Sequence, residues 1–148
     1  MAFAFLPTEP LRDGEIWLDM PVLTETDGVP MYRFPVRVDG VNGPVGNVML
    51  RPQTTWHLVH VRGHIAYGIE PGYRGRGYAG RAVRLLLPLA VRHGLDELWI
   101  TARPDNVASR RVCEKLGAIL VGTEPIPPDD IAYAQGQREK CRYCLPLL

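Results

Sequence analysis

The chain has 148 residues, 46% of them apolar and 22% charged, a size and balance that fit a single domain with its own core. Its net charge of +1 gives no electrostatic reason to expect nucleic acid or an anionic membrane as a partner, and no apolar run approaches the ~20 residues that cross a bilayer. The N-terminal residues lack a basic stretch followed by a sustained apolar one, so no signal peptide is expected and the location read from the sequence is cytoplasmic.

Residues 1–10 read as a loose lead-in. Residues 15–20 (EIWLDM) alternate polar with apolar and predict a half-buried strand. Residues 21–30 carry Thr, Asp, Gly and Pro and read as a loop. A second strand over 32–38 contains Pro35, which places it at an edge or a bulge. Asp39-Gly40 and Asn42-Gly43 then mark a hairpin into a third strand over 45–50. Residues 57–61 (HLVHV) are expected to pair into the same meander. The strand over 64–70 stops at Pro71-Gly72, and apolar residues at helical spacing follow (Ala82, Leu85, Leu86, Leu89, Ala90), predicting a helix over 78–93 that Pro88 should kink. Residues 97–102 form the next strand. Asn106 caps a helix over 107–116 that closes at Gly117. A strand over 118–121, an irregular excursion over 123–137 with a short helix near 129–134, and a last strand over 140–145 complete the chain. The three cysteines describe no disulfide framework. Cys141 and Cys144 lie three apart on a strand, so they point to opposite faces and read as ordinary strand residues rather than metal ligands. His57, His60 and His64 come without the carboxylate spacing of a metal site, and no metal is expected.

The chemistry concentrates in residues 64–118. A strand feeds Arg74-Gly75-Arg76-Gly77-Tyr78-Ala79-Gly80, and a helix begins there. The first N–H groups of a helix lack intrahelical partners and carry partial positive charge, so glycines at this turn let a pyrophosphate approach them. Gly75-x-Gly77-x-x-Gly80 fits the dinucleotide-binding fingerprint literally. That fingerprint also requires an acidic residue about 20 positions on, at the end of the following strand. Here the strand runs into Arg103-Pro104, and no second glycine-rich turn appears.

A second pattern in the same residues is more specific. Ile69-x-Pro71, Arg74-x-x-Gly77-x-Ala79 and Asn106-x-x-Ser109, followed by EKLGA, resemble the acetyl-CoA signature of the GNAT superfamily of N-acetyltransferases, whose core motif is R/Q-x-x-G-x-G/A. Within it the chain is most similar to a group of small predicted acetyltransferases that share a GHIAYGI strand and a KCRY strand, matched at residues 63–69 and 140–143. The resemblance implies an α/β (α+β) fold, a mixed and mostly antiparallel sheet flanked by helices with a splayed central strand pair. The two helices that usually follow the first strand are missing from the pattern, so the acceptor site is either open or closed by other elements.

The resemblance also implies acetyl-CoA as cosubstrate and a primary amine as acceptor, either a small molecule or a peptide. Acetyl transfer would proceed by direct attack in a ternary complex. The implied CoA-binding set is Ile69, Arg74, Gly75, Arg76, Gly77, Tyr78, Ala79, Gly80, Asn106 and Ser109, with Ile69 supplying a backbone donor to the oxyanion and Arg81, Arg110 and Arg111 within reach of phosphates. Cys113 stands where many members carry the tyrosine that protonates the leaving thiolate, and Thr101 where others carry a glutamate base. Glu70 and then His64, sharing one face of the 64–70 strand with Ala66 and Gly68, are the candidate bases, and Tyr143 is a candidate acid. The missing tyrosine and glutamate motivate an alternative, a catalytically weak acyl-CoA-binding regulatory module. A homodimer through the last strand is a further expectation.

Overall fold

The computed structural model describes residues 3–147. Two sheets make up the framework. The larger has the order β1-β2-β4-β5-β6, with β1 Leu11–Asp13, β2 Ile16–Leu18, β4 Val29–Val38, β5 Gly46–Leu50 and β6 Ile65–Ile69. Strand β3, Val22–Thr26, pairs with the first half of β4, and β2 with its second half. All these pairings are antiparallel. The smaller sheet has the order β7-β9-β8, from β7 Glu97–Ala102, β8 Ile119–Pro125 and β9 Glu139–Pro146. Helices α1 (Tyr78–Arg92), α2 (Val107–Leu116) and the short α3 (Ile131–Ala134) complete the fold.

Strand β4 sets the core. Tyr32, Phe34, Val36 and Val38 are buried, while Met31, Arg33, Pro35 and Arg37 between them face outward, the alternation of a sheet covered on one side. Against the buried face pack Ala82, Val83, Leu86, Leu89 and Ala90 of α1. That helix continues through Pro88, which lies on its exposed side. Pro35 sits inside a paired strand rather than at an edge. Its carbonyl accepts the Asp19 N–H at 2.9 Å. A strand residue presents its N–H and C=O toward the same neighbour, so the donor that proline lacks would have pointed at the break between β2 and β3.

Strand β1 is not among the elements expected from the sequence, and β8 runs on to Pro125, into the stretch read as irregular; two further elements differ more sharply. Residues 21–30 hold β3 rather than a loop, turned by Asp27 (φ 52°) and Gly28 (φ 76°), the pair of positive φ angles that a two-residue hairpin needs. Most of β3 is exposed, so it lacks the alternation by which a strand is recognised. Residues 57–61, expected to pair into the meander, fall instead around a single π-helical turn, Leu58–Arg62. That turn buries Leu58 and Val61 together, three apart, whereas a strand would send them to opposite faces.

The sheets meet where β6 begins beside β7. Gly63 has φ 77°, and a Cβ there would come within 2.9 Å of the Trp99 carbonyl oxygen. The next residue, His64, donates its backbone N–H to that carbonyl at 2.7 Å and accepts the Trp99 N–H on Nδ1 at 2.9 Å. Beyond this point β6 and β7 part. Gly63→Ala should therefore cost on the order of 2–3 kcal/mol, read as a lower urea midpoint with unchanged slope; an unchanged midpoint would mean that the close approach is not needed.

Candidate active site

Where β6 and β7 diverge, two cavities open. The larger, about 650 Å³, lies between the end of β6 and the first turns of α1 and α2, lined by Gly68, Ile69, Gly75, Gly77 and Gly80 among others. The smaller, about 340 Å³, is lined by Ala66, Thr101 and Ala102 of the two strands and by Arg62, Gln137 and Lys140. Both are lined by Tyr67, Asn106 and Ser109, so they adjoin there.

The glycine turn is built as an anion cradle. Gly75 (φ 78°) and Gly77 (φ 76°) both need the left-handed region, and a Cβ at either would meet no atom within 4 Å, so the space beside them is open. The first helical bond of α1 runs from the Arg81 N–H to the Gly77 carbonyl, which leaves the N–H groups of Tyr78, Ala79 and Gly80 without intrahelical partners. Arg84, Arg111 and Lys115 add positive charge to the same cleft, while Arg81, also in its lining, is met by two carboxylates. On β6 the Glu70 N–H is spent on the Val45 carbonyl of the neighbouring segment at 2.8 Å. Since alternate residues face alternate neighbours, the Ile69 N–H points away from β5 and into the opening.

A sequence profile for the Acetyltransferase (GNAT) domain matches residues 2–119. The chain belongs to the GNAT acetyltransferase family. Solved structures agree on the fold. A probable GNAT-family acetyltransferase from Chromobacterium violaceum superposes with a TM-score of 0.69 at 14% identity, covering 99% of this chain and 90% of that one. A GNAT-family acetyltransferase from Bacillus anthracis gives 0.59 at 24% identity, covering 78% of this chain and 66% of that one. The yncA protein of Salmonella typhimurium, a putative acetyltransferase solved with acetyl-CoA, gives 0.59 at 16% identity, covering 80% and 65%. The chain thus spans just under two thirds of the length of these last two. No curated protein sequence matches it.

As a GNAT domain the chain departs from its resemblance in instructive ways. His64 is 1% exposed. Its Nδ1 accepts from Trp99 N–H, which leaves Nε2 to donate to Thr54 Oγ1 at 3.2 Å. Neither nitrogen is open to an amine, so the structure places the histidine as a peg between sheets rather than as a base. Burial lowers its pKa from the ordinary value and keeps it neutral. Glu70 is exposed at the end of β6, and its carbonyl accepts the Tyr73 N–H; it lines neither cavity. Tyr143 is buried with its hydroxyl accepting from Arg110 Nε at 3.0 Å, which fixes both residues in a structural contact. Arg74 Nε donates to the Ile69 carbonyl at 2.7 Å, closing the turn, and Arg76 lies over the Tyr73 ring. Arg81 binds the carboxylates of Asp13 (2.9 Å) and Glu15 (2.7 Å), and that bond holds the Glu15 pKa down at about 2. Asn106 caps α2 through the Ser109 N–H at 3.1 Å.

The residue that sequence reasoning missed is Tyr67. Its hydroxyl lies 2.8 Å from Ser109 Oγ, donates to the Ser109 carbonyl at 3.1 Å, and stands 3.9 Å from Cys113 Sγ. Burial raises its pKa, so the phenol stays protonated. Burial also pushes the Cys113 thiol up to about 11. A phenol from β6 thus reaches the Cys113 position on α2. Alternation on β6 could only have put Tyr67 opposite His64, without saying which face carries the opening.

Among the described residues no cluster of ligands could hold a metal ion, and no helix is long and apolar enough to cross a membrane. The buried histidine predicts a pH dependence. Its folded pKa lies below the unfolded value, so the unfolded chain takes up the proton first and stability falls as pH drops below about 6.5. Urea titrations between about pH 7.5 and 5.5 should show that fall. His64→Gln should flatten it, leaving the contribution of His93, which burial also depresses; an equally steep fall in the variant would contradict this assignment.

Proposed function

We propose that the protein, acting as a single acetyltransferase unit, transfers the acetyl group of acetyl-CoA to a primary amine by direct attack in a ternary complex. The observation that carries this reading is the adjoining pair of cavities, the smaller in the gap between β6 and β7 and the larger between the end of β6 and the first turns of α1 and α2. The larger offers the unpartnered N–H groups at the start of α1 and arginines suited to a pyrophosphate, and the smaller suits a compact acceptor. Among the described residues no helix separates β2 from β4. The acceptor side is instead walled by Arg62 of the π-helical turn and by Gln137 and Lys140 near β9.

In this mechanism the amine nitrogen bonds to the thioester carbon, the carbon–sulfur bond breaks, and no covalent enzyme intermediate forms. The Ile69 N–H stabilises the oxyanion. Tyr67 protonates the departing thiolate, the role that Cys113, sealed in the core, cannot take. Glu70 takes the amine proton through solvent, since it lies outside the cavities. His64 keeps the strands in place and takes no proton.

Thiol release with a panel of amines tests the scheme. Tyr67→Phe should lower kcat about 10–100-fold with acetyl-CoA affinity nearly unchanged, and Glu70→Gln should lower it less. An unchanged kcat in Tyr67→Phe removes the tyrosine from the mechanism. Acetyl-CoA binding without release of thiol to any amine would favour the acyl-CoA-binding regulatory module instead.

A further inference from the structure

We propose that the acceptor amine also carries an anionic group, a carboxylate or a phosphate, recognised by Arg62, Arg103 and Lys140 in the smaller cavity. This rests on the acetyl-transfer reading and narrows it to a substrate class.

The charged residues lining that cavity are these three cations, and no Asp or Glu lines it. They are also poorly neutralised. Among the described residues Arg62 and Lys140 form no ion pair, and Arg103 has only a loose 3.7 Å contact with the exposed Asp105. Two acidic side chains on neighbouring elements are engaged elsewhere. Asp130 binds His57, and Glu124, opposite Lys140 in the β8–β9 register, turns its carboxylate to His60 (2.7 Å) and Arg142 (2.6 Å). Glu139 precedes Lys140 on β9 and points to the other face. Lys140 is half-buried, and its pKa is lowered by burial first and then by Arg103 and Arg62, with only Asp130 opposing. Arg62 and Arg103 are exposed and their charge is screened by water, so the cost of leaving the field unpartnered falls on the half-buried Lys140, and the first turn of α2 at Asn106 and Ser109 adds to the field.

An independent feature points to the other end of the same molecule. Gln137, also in the lining, keeps its side-chain oxygen Oε1 buried with no hydrogen-bond partner among the described residues. Such an acceptor is rarely left unmatched, and a turn of the side chain into the cavity would offer it to an amine N–H that a substrate brings. Unpaired cations and one orphaned acceptor together complement a small molecule bearing both an anion and an amine. An acceptor carrying only an ammonium group would enter against the field. The volume, about 340 Å³, suits a ligand at the small end of the usual range.

The test uses the full chain with saturating acetyl-CoA and matched amines: an amino acid against its amide, and phosphoethanolamine against ethanolamine. The anion-bearing member of at least one pair should show kcat/KM about tenfold or more above its neutral partner, and the favoured pair tells carboxylate from phosphate. Lys140→Met should reduce that ratio about tenfold, while Lys140→Arg should restore most of it. Equal use of neutral partners, or a ratio untouched by Lys140→Met, overturns the proposal. Absence of turnover with every amine, despite acetyl-CoA binding, overturns the acetyl-transfer reading itself and this proposal with it.

Discussion

The contact between β6 and β7 at His64 and Trp99 is the constraint on which the site depends. Parallel strands that continued to pair beyond this point would close the gap between the sheets. Here the last bonds are made by the His64 backbone, which donates to the Trp99 carbonyl, and by its ring, which takes the Trp99 N–H. The residue before it must be glycine because the Trp99 carbonyl occupies the space of a Cβ. Thr101 confirms the same joint from the other side by bonding the Val61 carbonyl at 2.7 Å. With the ladder ended, the N–H of Ile69 is left facing open space, and an unpaired donor aimed into a cavity is the feature that oxyanion chemistry uses.

Several arginines that look available for phosphates in the sequence are engaged in holding this geometry. Arg81 ties the β1–β2 turn to the start of α1, and Gly14 leaves room for its guanidinium, whose Nη2 would be 3.1 Å from a Cβ there. Arg84 bridges α1 to the end of α2 through the Lys115 carbonyl at 2.7 Å. Arg110 fastens α2 to β9. Arg81 and Arg84 thus brace the larger cleft, while Arg111 and Lys115 remain exposed at its rim.

Much of this was legible in the sequence for identifiable reasons. The glycine turn, the Asn106 cap and both long helices are set by local backbone chemistry, which a motif records directly. The π-helical turn at 58–62 was not, because HLVHV fits a period of two as well as a spacing of three, and only the burial of Leu58 with Val61 decides between them. Strand β3 was missed because an exposed strand has no apolar face to announce it. At the site, Glu70 and His64 share a face by alternation, yet His64 lies at the joint where regular pairing ends and its ring turns to Trp99. Tyr67 depended on knowing which side of β6 the gap lies on. That is a property of two sheets together, and no stretch of one strand contains it.

The central claim is that the gap below the His64–Trp99 joint, with the turn at Gly77, binds acetyl-CoA. Calorimetric titration of acetyl-CoA and, in parallel, NADH into the protein and into Gly77→Val tests it most directly. The account predicts micromolar binding of acetyl-CoA, little or none of NADH, and loss of acetyl-CoA binding in the variant, whose β-branched side chain would strain the left-handed turn and fill the cradle. Binding of NADH alone, or acetyl-CoA affinity unaffected by Gly77→Val, would contradict it.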